Sequence, residues 1–438
     1  VNCKKQILAA GLCVTVAVIT LLSGCIGEAK NGARFEPIDD TAAVMWVRQT
    51  TTAEVLLNEI VDDFNANRTG LPIKIEYAGD YGDIYRKVSA SIQAKSLPGM
   101  TVAYESMTTE YAMFGAVQQL DALIVDPEIG FSEAELADFF PGVIETNRYA
   151  SLGGGMYSFP FSKAVLVMYF NKRVLRAAGI NDPPRTWDEF QDQCRTIKQK
   201  TGKFAYAIDI DCSTLDGFLM AMGGEIMTDD GGAFAGPEML NVFKMLRTLV
   251  DEELAYLTPP RTFEDRSAFA QDEVAFIFRS SSHLAPIGEL MEGDRDAWGV
   301  AVIPQHDPDK PQTVLYGPNA CVFAIGDEQV RTSWEFIRFF SRPENSVKWA
   351  LGTGYLPIRK SAAELPALKA YWAEWEGHRV PYDCLAFARP EPNRAGWQEV
   401  RGLVEVAAKD VVTGIRSPED AARDLSAKAT ATLERAAP

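Results

Sequence analysis

The chain has 438 residues, enough for two or three ordinary domains, and its 47% hydrophobic content is that of a globular protein. A formal net charge of −17 sets its surface against phosphate backbones and anionic lipid heads, which argues against nucleic acid as a partner. The same charge leaves room for a small anionic ligand, because a buried pocket sets its own local potential.

Lys4 and Lys5 open the chain, and an uncharged, mostly apolar run follows from Ile7 to Leu22. That run is too short for an ordinary membrane span and suits the core of a signal peptide, so residues 1–24 are expected to be removed on export. The small residues in Leu22-Ser23-Gly24-Cys25 resemble a bacterial lipobox, in which the Cys25 sulfur is lipidated and becomes the mature N-terminus. Acyl chains on Cys25 would hold the protein at the cell membrane, on its periplasmic or extracellular face, as its one membrane contact. Residues 25–41, with Gly27, Gly32 and Pro37, read as a solvated tether.

Beyond the tether, strand and helix patterns alternate. Ala43 to Val47 reads as a strand, with Thr51 and Thr52 as candidate helix caps. Leu57, Ile60, Val61 and Phe64 then share one helical face. Ile73 to Tyr77 alternates as a strand, Ile84, Val88 and Ile92 mark a second helix, and Thr101 to Tyr104 a third strand. Two strand–helix–strand units predict a mostly parallel sheet covered by helices. Val165 to Phe170 is nearly continuously apolar, as in a strand buried on both faces. Helical patterns follow at Trp187–Ile197 and Pro237–Val250, and Phe336, Phe339, Phe340 and Val347 flank Pro343 as a helix, a break and a second helix. Spaced apolar residues from Gln398 through Leu433 close the chain on helices.

Arrangements for catalysis are absent from this pattern. His283, His306 and His378 have no partner at metal spacing, and there is neither a G-x-S-x-G elbow nor a phosphate-cradling P-loop. Gly153-Gly154-Gly155 reads as a bend, and Asp209 and Asp211 lack the glycine of a calcium loop. The expectation is a protein that is not an enzyme, with no metal and no other cofactor. Cys194, Cys212, Cys321 and Cys384 read as buried thiols, with a Cys194–Cys212 bond conceivable in an oxidising compartment.

Several local patterns, in order along the chain, resemble the extracellular solute-binding proteins of bacterial ABC importers for sugars. They include Phe159-Pro160-Phe161, Met168-Tyr169-Phe170-Asn171-Lys172, Pro184-Arg185-Thr186-Trp187, Arg342-Pro343-Glu344-Asn345 and Thr353-Gly354-Tyr355-Leu356-Pro357. The resemblance implies an α/β protein of two lobes with the type II periplasmic-binding-protein fold, a ligand in the cleft between them, and importer permease subunits as partners of a monomer. It places three inter-lobe crossings near residues 159–163, 314–317 and 353–357. Lobe one would then span 42–158 plus 318–354, and lobe two 162–313 plus 358–438.

Within that family the resemblance is nearest to glycerol-3-phosphate-binding members. Carried over residue by residue, it implies ligand contacts from Tyr85, Glu105, Ser280, Gly317, Tyr355 and Arg401. Arg401 would offer a planar donor fork to phosphate, with Ser280, Tyr355 and the Gly317 amide as neutral donors. Glu105 would accept from ligand hydroxyls and Tyr85 would pack on the glycerol. Where those proteins carry a serine after the Pro-Phe turn, this chain has Ala164, preceded by Ser162 and Lys163, so a donor is lost or Lys163 replaces it. Glycerol phosphate, a glycerophosphodiester and a neutral mono- or oligosaccharide therefore all stand as ligands, and a secreted enzyme or sensor on the same fold is the remaining alternative. Trp187 and Trp397 invite a stacking role over a sugar; Trp187 begins a helix and reads as core, and Trp397 stays open. His283 reads as a solvated or satisfied histidine.

Overall fold

The computed structural model describes residues 35–228, 231–260 and 262–437, so the signal segment, Cys25 and most of the tether lie outside the described residues. Among the described residues no helix is long and apolar enough to cross a membrane.

Local pattern and structure agree closely in the first half of the chain. Ala43–Val47 is a strand buried at every position, and the helix Thr51–Ala66 buries Leu57, Ile60, Val61 and Phe64. Its capping position falls on Thr50 rather than on Thr51 or Thr52, and no side-chain cap bond forms there. Ile73–Tyr77 pairs in parallel with Ala43–Val47, which pairs in parallel with Met100–Ala103. The helix Tyr81–Ala94 starts at a capping box of Asp80 and Asp83 and buries Ile84, Val88 and Ile92.

Two principal sheets organise the described residues. The first has five strands, in the order Ile73–Tyr77, Ala43–Val47, Met100–Ala103, Asn319–Val322 and Phe159–Pro160. The second has seven, running from Ala255–Leu257 through Tyr206–Ile208, Phe276–Ser280, Ala164–Asn171 and Thr313–Tyr316 to Ala388–Pro390; Trp298–Ala301 also pairs with Ala164–Asn171. Ala164–Asn171 is buried along its whole length, which explains its unbroken apolar sequence. Pro343 caps no strand and breaks no core: it begins the helix Pro343–Thr353 at a position where a missing N–H costs nothing.

Each sheet carries its own lobe, and the chain passes between them where consecutive strands change sheet. Phe159–Pro160 lies in the first sheet and Ala164–Asn171 in the second; Thr313–Tyr316 lies in the second and Asn319–Val322 in the first. The last passage is gradual. Just beyond residue 357 Arg359 donates to the Glu135 carbonyl and bridges Phe139 of the first lobe. By Glu374 and Trp375 the chain already meets the second lobe, where Glu374 pairs with Arg295 and the Trp375 ring lies 4.5 Å from that of Trp298. It joins the second sheet only at Ala388–Pro390. The buried Arg359 guanidinium, stacked over Phe139 beside Asp138, holds the start of this passage to the first lobe.

The first two passages lie back to back at Gly317. Its φ is +112°, and a Cβ there would stand 2.2 Å from the Ser162 carbonyl oxygen. Gly317→Ala is therefore expected to lower unfolding stability by about 1–3 kcal/mol, the scale of a strained backbone site. Urea unfolding measures this, and an unchanged midpoint would show that the paired passages yield freely.

Candidate functional site

Between the lobes lies a cavity of about 210 Å³. Arg48, Tyr81 and Tyr104 reach it from ends of first-lobe elements. Ala164, Tyr316 and Gly317 enter from the first two passages, and Tyr355 from the segment after the helix Pro343–Thr353. The second lobe supplies Ser213 and Thr214 from the first turn of the helix Cys212–Ala221, with Asp211 as its cap, and Arg279, Ser280, Ser282 and His283 from the end of a strand. Phe263 completes the wall.

The arginines are not equivalent. Arg279 donates from Nε to Asp265 at 2.6 Å and also pairs with Asp209. Arg401 stands behind the wall, 5.4 Å from the Tyr104 ring centroid; it pairs with Glu391, lies 3.7 Å from Asp211 and donates to the Ser213 hydroxyl at 3.2 Å. Burial alone would lower its pKa, but Glu391 and its other neighbours drive it well above the ordinary value. Arg48 has a different setting. Its guanidinium lies 4.7 Å from the Tyr81 ring centroid, and Tyr81, with Tyr355 and Tyr104, outweighs burial to raise its pKa. Among the described residues no carboxylate lies within 4.0 Å of Arg48.

The residues singled out in the sequence separate into three groups. Ser280, Gly317, Tyr355 and Ala164 line the cavity. The Ser280 hydroxyl shares a hydrogen bond of 2.8 Å with Ser282, and Tyr355 lies parallel to Trp349. Glu105, Lys163 and Ser162 form buried structure beside it. The Lys163 ammonium, with no exposed surface, donates to Glu105 at 2.8 Å and to the Gly317 carbonyl at 3.1 Å. Asn319 donates to the same Glu105 oxygen at 2.8 Å, and the Ser162 hydroxyl accepts from the Trp349 indole at 2.9 Å. Arg401 belongs with this group through Glu391.

Tyr85 and Trp397 lie elsewhere. Trp397 is buried against Phe234 in the second lobe. Tyr85 donates to Glu110 and lines a separate, more open hollow of about 690 Å³. The tyrosine of that helix that lines the cavity is Tyr81, one helical turn earlier on the same face, its ring centroid 4.4 Å from that of Tyr104. The Asp80–Asp83 capping box was the available signal, because it makes Tyr81 the first helical residue, at the helix end that meets the cleft. Arg48, Asp211 and His283 were also missed as cavity residues.

The two lobes also touch directly. The Thr109 hydroxyl donates to the Asn393 carbonyl at 2.9 Å, Asn393 donates to the Arg148 carbonyl at 2.7 Å, and the Gly396 amide donates to Glu110 at 3.3 Å. These bonds tie the segment that follows the last strand of the second sheet to the first lobe. Cys194, Cys212, Cys321 and Cys384 are all buried as separate thiols.

Two consequences can be measured. Lys163→Ala leaves the Glu105 carboxylate buried without its cation and is expected to cost about 3–5 kcal/mol. Adding Glu105→Gln should recover part of that loss in guanidinium unfolding, and a cost near that of an exposed lysine would contradict the buried pairing. His283 is the second case: burial, then Arg279, Arg266 and Arg48, push its pKa down to about 3. The unfolded chain protonates this residue near pH 6.5, so its contribution to stability is complete above that pH and fades as pH falls toward 3, by up to about 1.4 kcal/mol per unit. His283→Asn is expected to flatten the fall in Tm between pH 6.5 and 4, and an unaltered slope would contradict a neutral native imidazole.

A family model described as bacterial extracellular solute-binding protein matches residues 59–375. The sn-glycerol-3-phosphate-binding periplasmic protein UgpB of Pectobacterium atrosepticum is 26% identical over 402 residues, covering 86% of this chain and 88% of that protein. Among solved structures, UgpB from Mycobacterium tuberculosis in complex with glycerophosphocholine has a TM-score of 0.78 at 20% identity, covering 91% of this chain and 99% of that one. The sugar-binding protein MalE from Xanthomonas citri has a TM-score of 0.77 at 21% identity, covering 90% and 98%. These likenesses show an α/β, two-lobed type II fold.

Proposed function

The chain belongs to the bacterial extracellular solute-binding protein family, and on that premise we propose that it captures glycerol 3-phosphate or a glycerophosphodiester between its lobes for delivery to an ABC importer. The observation that carries this reading is the cavity itself, small, polar and walled by both lobes. At about 210 Å³ it falls below the usual span of roughly 300–1,000 Å³ for drug-sized ligands. Its hydroxyl groups, from Ser213, Thr214, Ser280, Ser282 and Tyr355, suit a short polyol, and its arginines suit an anion. A ligand that touches both walls at once favours a closed arrangement by its differential affinity for that state, which is what a capture protein requires. The curated relatives named for sn-glycerol-3-phosphate point the same way.

The proposed contacts are Ser280, Gly317 and Tyr355, with Tyr81 in the role that the resemblance gave to Tyr85. Arg401 and Glu105 act from behind the wall. Export with Cys25 as lipid anchor, and a monomer that meets permease subunits, complete the proposal. A neutral mono- or oligosaccharide is the second reading, favoured by the aromatic faces of Phe263 and Tyr355 on the cavity and by the sugar-binding structural neighbours.

Native mass spectrometry of the purified protein, then calorimetry with glycerol 3-phosphate, glycerophosphocholine and maltose, separates the two. A micromolar Kd, about −8.2 kcal/mol, is expected for a phosphate-bearing compound, which should be recovered unchanged. Maltose binding without phosphate-ester binding would overturn the first reading in favour of the second.

A further inference from the structure

The charges around the cavity are divided unequally between its two walls. On the second-lobe side Arg279 and Arg401 each already face two carboxylates: Arg279 faces Asp265 and Asp209, and Arg401 faces Glu391 and Asp211. Asp211 itself lines the cavity, with its carboxylate also capping the helix at Thr214. Arg266 lies over the Phe263 ring and is not part of the cavity lining. On the first-lobe side stands Arg48, which has aromatic neighbours and, among the described residues, no carboxylate within 4.0 Å.

We infer that Arg48 is the residue that reads the ligand's anionic group, and that the acid-rich second wall makes the site select a singly charged phosphodiester over a dianionic phosphomonoester. This rests on the reading of the cavity as a glycerol-phosphate site and narrows it. A phosphodiester presents one negative charge and two non-bridging oxygens, which one guanidinium fork satisfies. A phosphomonoester carries about −1.5 to −2 at pH 7. Its second charge would need a second unengaged cation in the lining, and Arg279, the other arginine there, is engaged by Asp209 and Asp265. In a site of low effective dielectric that surplus negative charge meets repulsion that bulk water would screen. The burial of Arg401 explains why it is paired: a guanidinium removed from water needs a counter-charge whether or not ligand is present. Arg48 keeps access to solvent, so it can wait without one.

The experiment is calorimetry at pH 8 with glycerol 3-phosphate, its methyl phosphodiester and maltose, on the wild-type protein, Arg48→Gln and Glu391→Gln. The methyl ester removes one charge from the phosphate and introduces no cationic head. The wild-type protein is expected to bind the diester at least tenfold more tightly than the monoester. Arg48→Gln should weaken diester binding at least tenfold. Glu391→Gln, which keeps the size of the side chain while releasing Arg401, should improve monoester binding and narrow the preference. Thermal melts of both variants confirm that the fold is retained, and Arg48→Lys, which keeps the charge and loses the fork, should fall between wild type and Arg48→Gln.

A wild-type preference for the monoester, or diester affinity unmoved in Arg48→Gln, would overturn the inference while leaving the glycerol-phosphate reading in place. Binding of maltose with neither phosphate compound would overturn both.

Discussion

One buried ammonium joins the parts of this molecule that must move together. Lys163 lies in the first passage between the lobes, and its side chain bonds Glu105 of the first lobe and the Gly317 carbonyl of the second passage. Its own carbonyl accepts from the Leu356 amide, beside Tyr355. Three segments far apart in sequence are thereby fixed to one residue. A lysine with no exposed surface can stay charged only if its hydrogen bonds are met, so these segments cannot drift apart without stranding a charge in the interior.

The cavity depends on that constraint. Ala164, Gly317 and Tyr355 each follow or adjoin a segment that Lys163 holds, and they form the part of the wall that belongs to neither lobe alone. A small side chain at 164 and none at 317 let the two passages run close together, as the nearness of Gly317 to the Ser162 carbonyl shows. Ser162 meanwhile anchors Trp349, against which Tyr355 lies parallel. The bonds from Asn393 and Gly396 to the first lobe follow directly on Ala388–Pro390, so the last passage too is tied across the lobes. The passages are held from within by buried bonds and beside them by direct hydrogen bonds between the lobes.

Much of the architecture was legible because it rests on short-range pattern. The buried face of Thr51–Ala66, the alternation of Ile73–Tyr77 and the apolar run at Ala164–Asn171 are decided by neighbours within a few residues. The course of the chain just after residue 357 was not legible because it depends on Arg359 meeting Glu135 and Asp138, more than 200 residues away. The resemblance pointed to Tyr85, and a match in sequence does not show that the helix starting at Tyr81 turns its first residue, rather than Tyr85, toward the cleft. Lys163 and Glu105 were each flagged, but their pairing could not be read from positions 58 residues apart.

The same reasoning explains why the sequence suggested Arg401 as a phosphate reader and was silent about Arg48. A residue type supplies the capacity for a charge-assisted fork; its availability is set by what else the fold brings within reach. Glu391 and Asp211 reach Arg401 from separate elements, whereas aromatic rings surround Arg48. Desolvation makes this division a physical necessity. A cation largely removed from water must be neutralised by the protein itself, and a cation at the cavity that water can still reach can remain unpaired until a ligand arrives. Recognition of an anion in such a cleft therefore falls to its wetter arginine, and the drier ones hold the wall in shape.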